Sequence, residues 1–184
     1  MGSFRLQEIL NRLRVRAGLF LAVAVIVLAR PTWTSILVGI LISFFGLAIR
    51  AWASGHLRKE KTLAVSGPYR YSRNPLYLGN FLLGIGIAAG ARSWWVAGLC
   101  IAYYAAFYPM IIRRERERMR ALFPQQYDEY GKKVPLFFPS PKKHLPARGR
   151  FRWTLYKRNR EYRALLGTIL VWLILAVKLL LLKP

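Results

Sequence analysis

The chain contains very few side chains that form disulfides or bind transition metals. Its 184 residues include one cysteine, Cys100, and two histidines, His56 and His144. A single cysteine excludes a framework of intramolecular disulfides and a cysteine-based metal site. The two histidines stand far apart in the sequence and lack the short spacing of paired metal ligands. We therefore expect neither a disulfide scaffold nor a metal centre.

Acidic residues are scarce as well. Seven Asp and Glu residues face 30 Lys and Arg residues, which gives a net charge of +23 and an isoelectric point near 11.2. A positive excess of this size is typical of proteins that bind nucleic acid. However, 55% of the residues are hydrophobic and the mean hydropathy is +0.25. Because the charges are separated from the apolar runs, the sequence predicts an all-α integral membrane protein and no nucleic-acid partner.

Five apolar segments alternate with basic ones along the chain. A helix needs about 20 residues, within a range of about 17–25, to cross the hydrocarbon core of a bilayer. The second, fourth and fifth segments are long enough, whereas the first and third need flanking residues or a locally thinner bilayer. The sequence thus predicts about five transmembrane helices, at residues 17–29, 33–49, 76–90, 94–112 and 164–182.

The placement of charge predicts the orientation in the membrane. With a cytoplasmic N-terminus, the inner segments would be residues 1–16, 50–75 and 113–163, which hold 26 of the 30 basic residues and all seven acidic ones. Basic residues are enriched in cytoplasmic segments. We therefore expect the N-terminus in the cytoplasm and the C-terminus outside, in a bacterial-type inner membrane or its equivalent. Arg30-Pro31 after the first apolar run argues against a cleaved signal peptide.

The same patterns divide the chain into four parts. The first is an interfacial amphipathic segment and the second a transmembrane hairpin. The third is a catalytic core with a cofactor loop, two transmembrane helices and a cytoplasmic extension, and the fourth is an interfacial segment with the last transmembrane helix. The predicted boundaries are 1–16, 17–52, 53–147 and 148–184.

Two of the apolar segments carry further predictions. The third is rich in glycine, and small residues let helices approach closely in lipid, so we expect it to pack centrally. The fourth continues past the membrane to Leu122, and its last turns would carry Glu115 into a cytoplasmic cap. The proline-rich residues 124–149 are predicted to be irregular.

A turn-rich, basic segment lies between the second and third apolar runs. Gly67-Pro68 is a strong turn signal. Asn74-Pro75 is typical of a helix start, with asparagine as the capping residue and proline at the first helical position. The free N–H groups and the positive dipole end of that helix favour an anion. This segment is therefore a candidate anion site at the membrane surface.

The same segment resembles a known family. Ser-Gly-Pro-Tyr at 66–69 and Arg-Asn-Pro-x-Tyr-x-Gly at 73–79 are similar to the signature of the isoprenylcysteine carboxyl methyltransferase and phospholipid methyltransferase superfamily. Its members are integral membrane enzymes that use S-adenosylmethionine. A second block fits the same pattern, with Ile112-x-x-Glu115 followed by Phe123, Tyr127, Tyr130, Val134-Pro135 and Pro139. Asn74 stands where the family has histidine, and Arg116 where it has a second glutamate.

The resemblance implies a site for S-adenosylmethionine. The carboxylate of this cofactor suits a helix N-terminus, its ammonium suits a glutamate, and its adenine suits an apolar or aromatic slot. The predicted cofactor-binding residues are Leu63, Val65, Gly67, Tyr69, Asn74, Pro75, Gly79 and Glu115. The predicted catalytic residues are Glu115, Arg73 and Tyr77. Several of these residues have alternatives. Glu115 would also fit a solvated pair with a neighbouring arginine, and Arg73 a lipid phosphate. Tyr69 and Tyr77 would also fit as interfacial anchors, and Gly79 as a helix-packing residue.

The predicted acceptor is a lipid-like amphipathic molecule, held beside anionic lipids of the inner leaflet. A carboxylate is ionised at neutral pH, whereas an amine must first lose a proton to a base. Asn74 cannot titrate, which favours carboxylate O-methylation slightly over amine N-methylation. One alternative is a sterol-reductase-like enzyme whose NADPH phosphate binds Arg58, Lys59 and Lys61. The other is a non-catalytic membrane protein that binds anionic lipid.

Overall fold

The computed structural model describes residues 2–58, 61–140, 142–146 and 149–181, with side chains described from residue 12 onward. Apart from an isolated bridge between Ser140 and Lys143, the regular structure of these residues is helical. It comprises α1 Gly2–Leu28, α2 Trp33–Ser54, a 3-10 helix Gly67–Arg70, α3 Pro75–Ala91, α4 Trp94–Leu122, α5 Pro124–Lys133, α6 Trp153–Arg158 and α7 Tyr162–Leu181. The prediction of an all-α protein is confirmed.

Three helices are long and apolar enough to cross a membrane, namely α2, α4 and α7. They make the chain a membrane protein, as the sequence predicts. Helix α3 is apolar but only 17 residues long. Helix α1 has 27 residues and includes the arginine-rich start of the chain. The number of five spans and the orientation of the termini stay predictions.

Helices α2 and α3 pack against each other through glycine. A Cβ atom added to Gly46 would lie 2.7 Å from the carbonyl oxygen of Gly79, and one added to Gly86 would lie 2.7 Å from that of Gly39. Such distances are shorter than van der Waals contact, so the two backbones touch where no side chain intervenes. The central packing predicted for the glycine-rich helix is confirmed.

Helix α4 runs without a break from Trp94 to Leu122, although Pro109 lies inside it. The predicted continuation of the fourth apolar segment as a helix to Leu122 is therefore confirmed. Its position in the cytoplasm stays a prediction. The prediction that residues 124–149 are irregular is wrong for Pro124–Lys133, which form α5. Proline is well suited to the first position of a helix. The buried Tyr127 and Tyr130 lie three residues apart and share a face of α5.

The N-terminal prediction lies partly outside the described residues. The backbone of α1 is one helix from Gly2 onward and passes the predicted boundary between 16 and 17. Residue 1 and the side chains up to residue 11 are not described. The amphipathic character and interfacial position of this segment stay predictions.

One end of the bundle gathers the ends of α1, α3 and α7 with the starts of α2 and α4, and is called the far end below. The backbone N–H of Arg30 donates to Ala91 O over 2.8 Å, and Ser35 Oγ donates to Gly90 O over 3.0 Å. Side chains from all five helices form a hydrophobic core here, including Val25, Ile36, Ala91, Val96 and Leu175. The start of α3 therefore lies at the opposite end, where α4 continues into its charged last turns.

Candidate active site

A cavity of about 350 Å³ opens at the start of α3, between the end of α4, the preceding loop and α5. Seven of the ten predicted site residues line it: Leu63, Tyr69, Arg73, Asn74, Pro75, Tyr77 and Glu115. They come from two separate stretches of the chain, which the turn at Ser93 and the return of α4 bring together. The other lining residues are Arg50, Leu57, Arg58, Thr62, Ala64, Leu76, Asn80, Arg118, Met119, Tyr127 and Tyr130.

The floor of the cavity is the first turn of α3. Asn74 occupies the capping position and Pro75 the first helical position, as predicted. However, the Asn74 side chain does not cap the helix, because its Nδ2 donates to Leu136 O over 2.9 Å. Its backbone N–H donates to Ser72 Oγ over 3.2 Å. The predicted asparagine cap is therefore wrong, and no side chain caps the end of α3 that faces the cavity.

The loop before α3 is held against α5. The 3-10 helix Gly67–Arg70 places the carbonyl of Tyr69 where the Tyr130 hydroxyl donates to it. Both tyrosines are buried. Burial raises the pKa of Tyr69, and the neighbouring Tyr130 and Glu115 add to the shift. Burial likewise raises the pKa of Tyr130, so both phenols stay protonated at neutral pH, and the Tyr130 hydroxyl donates to the Tyr69 carbonyl.

The predicted catalytic residues approach the cavity from three directions. Glu115 lies on the part of α4 that extends past α3 and is partly buried. The Tyr77 ring lies on the first turn of α3, with its centroid 6.0 Å from that of Tyr108. The guanidinium of Arg73 lies 5.4 Å from the centroid of the Tyr127 ring. Among the described residues, the ion pairs of the same region join Arg113 to Glu117 and Arg120 to Asp128.

The sequence analysis missed a buried ionic network at the edge of the cavity. The Arg50 guanidinium lies 2.5 Å from Glu161 Oε1, and it donates to Asn80 Oδ1 over 2.5 Å and to Leu76 O over 3.4 Å. The side chains of Arg50 and Glu161 are only 15% and 9% exposed. Both residues adjoin apolar runs in the sequence. An ionic residue beside an apolar run was the available signal, since buried charge is paired or functional.

Three predicted residues do not line the cavity. Val65 packs against the buried tyrosines of α5, and Gly79 packs against Gly46 and Arg50. Gly67 adopts a positive φ of 58°, and a Cβ atom there would lie 2.5 Å from the ring of His56. These residues shape the loop and the floor rather than the cavity wall.

His56 lies behind the loop, in an adjoining hollow that Val65 also lines. Its Nδ1 is 3.0 Å from Ser66 Oγ. Burial lowers the pKa of this imidazole, so it is neutral at pH 7. The contact joins the end of α2 to the loop.

Among the described residues, the cavity wall is rich in cations and carries one carboxylate. Four arginines, at 50, 58, 73 and 118, line it together with Glu115. Leu63, Ala64 and Met119 provide an apolar part of the wall. Such a cavity suits a ligand with an anionic group, a cationic group and an apolar or aromatic portion.

Comparison with known proteins supports the sequence signature. A family model described as phospholipid methyltransferase matches residues 19–126. That range includes every predicted site residue but ends just before Tyr127 and Tyr130. No solved structure matches the chain.

Two curated relatives carry names that refer to metal resistance. The chain is 33% identical over 131 residues to the cobalt-zinc-cadmium resistance protein CzcN of Cupriavidus metallidurans, over 68% of this chain and 58% of the relative. It is 34% identical over 113 residues to the nickel-cobalt-cadmium resistance protein NccN of Alcaligenes xylosoxydans xylosoxydans, over 59% and 53%. The chain thus spans little more than half the length of either relative. Within the described ranges, no three His, Cys, Asp or Glu side chains are grouped as metal ligands would be.

Proposed function

The chain belongs to the phospholipid methyltransferase family, and from this premise we propose that it transfers a methyl group from S-adenosylmethionine to a lipid-like amphipathic acceptor. The observation that supports this proposal is the cavity at the start of α3. It brings the loop, the first turn of α3 and Glu115 together although they are far apart in the sequence. Its volume of about 350 Å³ lies within the range of about 300–1,000 Å³ for small-molecule sites.

The residues of the cavity fit the groups of the cofactor. Arg50 and the first turn of α3 would hold its carboxylate, because a guanidinium and a helix N-terminus both favour an anion. Glu115 would hold its ammonium, as the carboxylate that lines this cavity. The apolar wall formed by Leu63, Ala64 and Met119 would take the adenine.

When bound, S-adenosylmethionine supplies an electrophilic methyl group on a positively charged sulfur. The acceptor atom would supply the electron pair of the new bond to the methyl carbon, while the C–S bond breaks and its electron pair stays on sulfur in the departing S-adenosylhomocysteine. This direct displacement requires no covalent intermediate with the protein. What this chain must do is hold both partners in line and exclude water, and orientation of this kind contributes about 7–11 kcal/mol. The Tyr130–Tyr69 and Asn74–Leu136 hydrogen bonds contribute by fixing the loop and the floor.

The described side chains favour an acceptor that is already nucleophilic at neutral pH. The Asn74 amide cannot titrate, and its Nδ2 is engaged by Leu136 O. The raised pKa values of Tyr69 and Tyr130 keep these phenols protonated, so neither serves as a base. These features support a carboxylate acceptor, which needs no deprotonation.

The deciding experiment is a methyl-transfer assay whose product is then treated with alkali, which distinguishes a methyl ester from an N-methyl group. Purified protein in lipid vesicles is incubated with methyl-tritiated S-adenosylmethionine and a total lipid extract of the expression host. We expect labelled lipid that releases volatile methanol on mild alkaline hydrolysis, because methyl esters are base-labile and N-methyl groups are not. Label that resists alkali would support N-methylation instead.

Glu115→Gln tests the role of the cavity carboxylate. We expect a loss of cofactor affinity of about tenfold or more, because removing one partner of a charge-assisted contact costs about 1.5–3 kcal/mol. Glu117→Gln is the matched control, since Glu117 is exposed on the same helix and paired with Arg113. The proposal fails if both variants bind S-adenosylmethionine equally well in equilibrium dialysis, or if the wild type binds none. Retention of NADPH in place of S-adenosylmethionine would support the reductase alternative.

A further inference from the structure

A second and larger hollow lies away from the cavity. It is a groove of about 1170 Å³ between α3 and α4. One end is closed by Phe81 and Tyr104, whose ring centroids are 5.5 Å apart. From Phe81 to Arg92 at the far end, α3 rises about 16 Å. The wall between these points is apolar, formed by Gly84, Ile85, Ala88, Ala89, Ala97, Cys100, Ile101 and Ala105.

The groove is separate from the candidate active site. Asn80 lines the cavity, whereas the next residue, Phe81, lines the groove. The Tyr104 hydroxyl donates to Asn80 O over 2.5 Å, which holds α4 against α3 at this level. The groove therefore lies on the far-end side of Phe81, and the end of it lined by Arg30 and Arg92, called its mouth below, is at the end of α3 away from the candidate active site.

Two arginines flank that mouth. Arg30 and Arg92 both line the groove and are exposed. The hydrogen bond from the Arg30 backbone to Ala91 O, 2.8 Å long, keeps the two loops side by side. Within the described part of the chain, neither guanidinium has a hydrogen bond or an ion pair, whereas Lys178 at the same end donates to Ile26 O and Val27 O.

Among the described residues, the far end also lacks acidic side chains. No acidic residue occurs between Glu8 and Glu60, between Glu60 and Glu115, or after Glu161. The turns at the far end all fall within these three stretches. Arg30 and Arg92 thus create a positive potential at an apolar groove, which is complementary to an anionic group attached to a hydrocarbon chain.

Tryptophan marks the depth of the mouth in the bilayer. Trp94 and Trp95 begin α4 beside the groove and are 93% and 77% exposed. Exposed tryptophan rings collect at the level of lipid headgroups. The mouth is therefore at the height where lipid phosphates lie.

We propose that this groove binds one acidic phospholipid of the leaflet at the far end, with an acyl chain along α3 and α4 and the phosphate between Arg30 and Arg92. The apolar wall would contact the acyl chain, and the guanidinium groups of Arg30 and Arg92 would bind the acidic headgroup. The site is independent of the methyl-transfer proposal, because it shares no lining residue with the cavity.

Native mass spectrometry of the detergent-purified protein tests the proposal. After delipidation, the protein is titrated with dioleoyl phosphatidylglycerol or with the zwitterionic dioleoyl phosphatidylcholine. We expect one molecule of the acidic lipid to bind preferentially. The double variant Arg30→Gln/Arg92→Gln should reduce that binding about 30-fold, from roughly fivefold per basic residue at an anionic surface.

The matched control is Lys132→Gln/Lys133→Gln, which removes two exposed charges from the end of α5. It should bind phosphatidylglycerol like the wild type. A third variant, Ala97→Trp, fills the groove and leaves both arginines in place, so it should also reduce binding. Equal binding of the two lipids, an unaffected arginine double variant, or a protein dimer in place of the lipid adduct would each overturn the proposal.

A photolabelling experiment on the wild-type protein tests the proposal without any substitution, so its result does not depend on whether the variants fold. Phosphatidylglycerol with a diazirine on its acyl chain is irradiated with the protein in vesicles, and the labelled peptides are identified. Labels in the second half of α3 and the first half of α4 are expected. Labels spread evenly over α2 and α7 would show ordinary boundary lipid and would contradict a defined site.

Discussion

At the scale of single residues, the Arg50–Glu161 pair is the buried ionic contact that links three helices beside the cavity. It joins the end of α2 to the residue just before α7, and Arg50 also contacts Asn80 on α3. A buried pair contributes little net energy when intact, but removing one partner leaves an uncompensated buried charge. The pair therefore fixes the relative positions of three helices at the point where the cavity opens.

Glu161→Gln should destabilise the protein strongly. Loss of one partner of a buried pair costs about 3–5 kcal/mol. The expected result is a clear drop in the thermal unfolding temperature in detergent, measured by circular dichroism. The control is again Glu117→Gln, because its ion pair is 82% and 62% exposed and pairs of that kind contribute about 0–1 kcal/mol. Similar unfolding temperatures for the two variants would show that the Arg50–Glu161 contact is not structural.

Asn74 shows where residue-level prediction from the sequence was limited. The Asn-Pro dipeptide correctly predicted the first residue of α3. It did not predict the partner of the asparagine side chain, because Leu136 is distant in sequence and comes close only after α4 and α5 fold back. Arg50 and Glu161 were missed for the same reason, since their pairing joins residues that only the tertiary fold brings together.

At the scale of helices, the close contact of α2 and α3 is set by glycine pairs. Both the cavity floor and one wall of the groove belong to α3, so its distance from α2 affects both hollows. A side chain at Gly46 would have to push α3 outward, because the two nearest atoms it meets are backbone.

Gly46→Ala should therefore reduce both stability and methyl transfer. The new Cβ atom would lie 2.7 Å from Gly79 O and 3.1 Å from Leu83 N, and overpacking of this kind costs about 1–3 kcal/mol. Gly98→Ala is the control, since a Cβ atom at Gly98 meets nothing within 4 Å. Thermal unfolding and the methyl-transfer assay check both. Equal behaviour of the two variants would mean that α2 and α3 can separate without consequence.

The sequence predicts a helix correctly where the apolar and charged runs are long, as in α4, and does not predict the short helix α5. Helix α4 was predicted through Leu122 because an apolar run led directly into a proline-free charged run. The proline-rich composition of residues 124–149 predicts an irregular segment, whereas Pro124 stands at the first helical position of α5. Its ten residues hold only two buried side chains, Tyr127 and Tyr130, and they are buried only by contact with Leu63, Val65 and Met119.

At the scale of the whole molecule, charge is divided unequally between the two ends of the bundle. The cavity end has most of the arginines and the described acidic side chains, and the far end has Arg30, Arg92 and Lys178. The sequence predicted this segregation, because it depends only on which charged residues lie between which apolar runs. This charge segregation predicts that the cavity faces the cytoplasm and that the far end faces the outside.

Cysteine labelling tests that orientation. In a Cys100→Ala background, Thr34→Cys lies in the first turn of α2 at the far end, and Lys132→Cys lies at the end of α5; both positions are exposed. A membrane-impermeant maleimide added to intact bacterial cells should label position 34 only. Position 132 should react after permeabilisation. The reverse pattern would show that the cavity faces outward and would refute the predicted topology.

The shortness of α3 also governs how the protein meets its bilayer. Its 17 residues rise about 25 Å, less than the roughly 30 Å of a typical hydrocarbon core. If α3 crosses the bilayer as the sequence predicts, lipids that border it would have to compress to match it, at a cost of a fraction of a kcal/mol per Å. Lipid headgroups beside α3 would then sit several ångströms deeper than elsewhere, closer to the proposed methyl-transfer site.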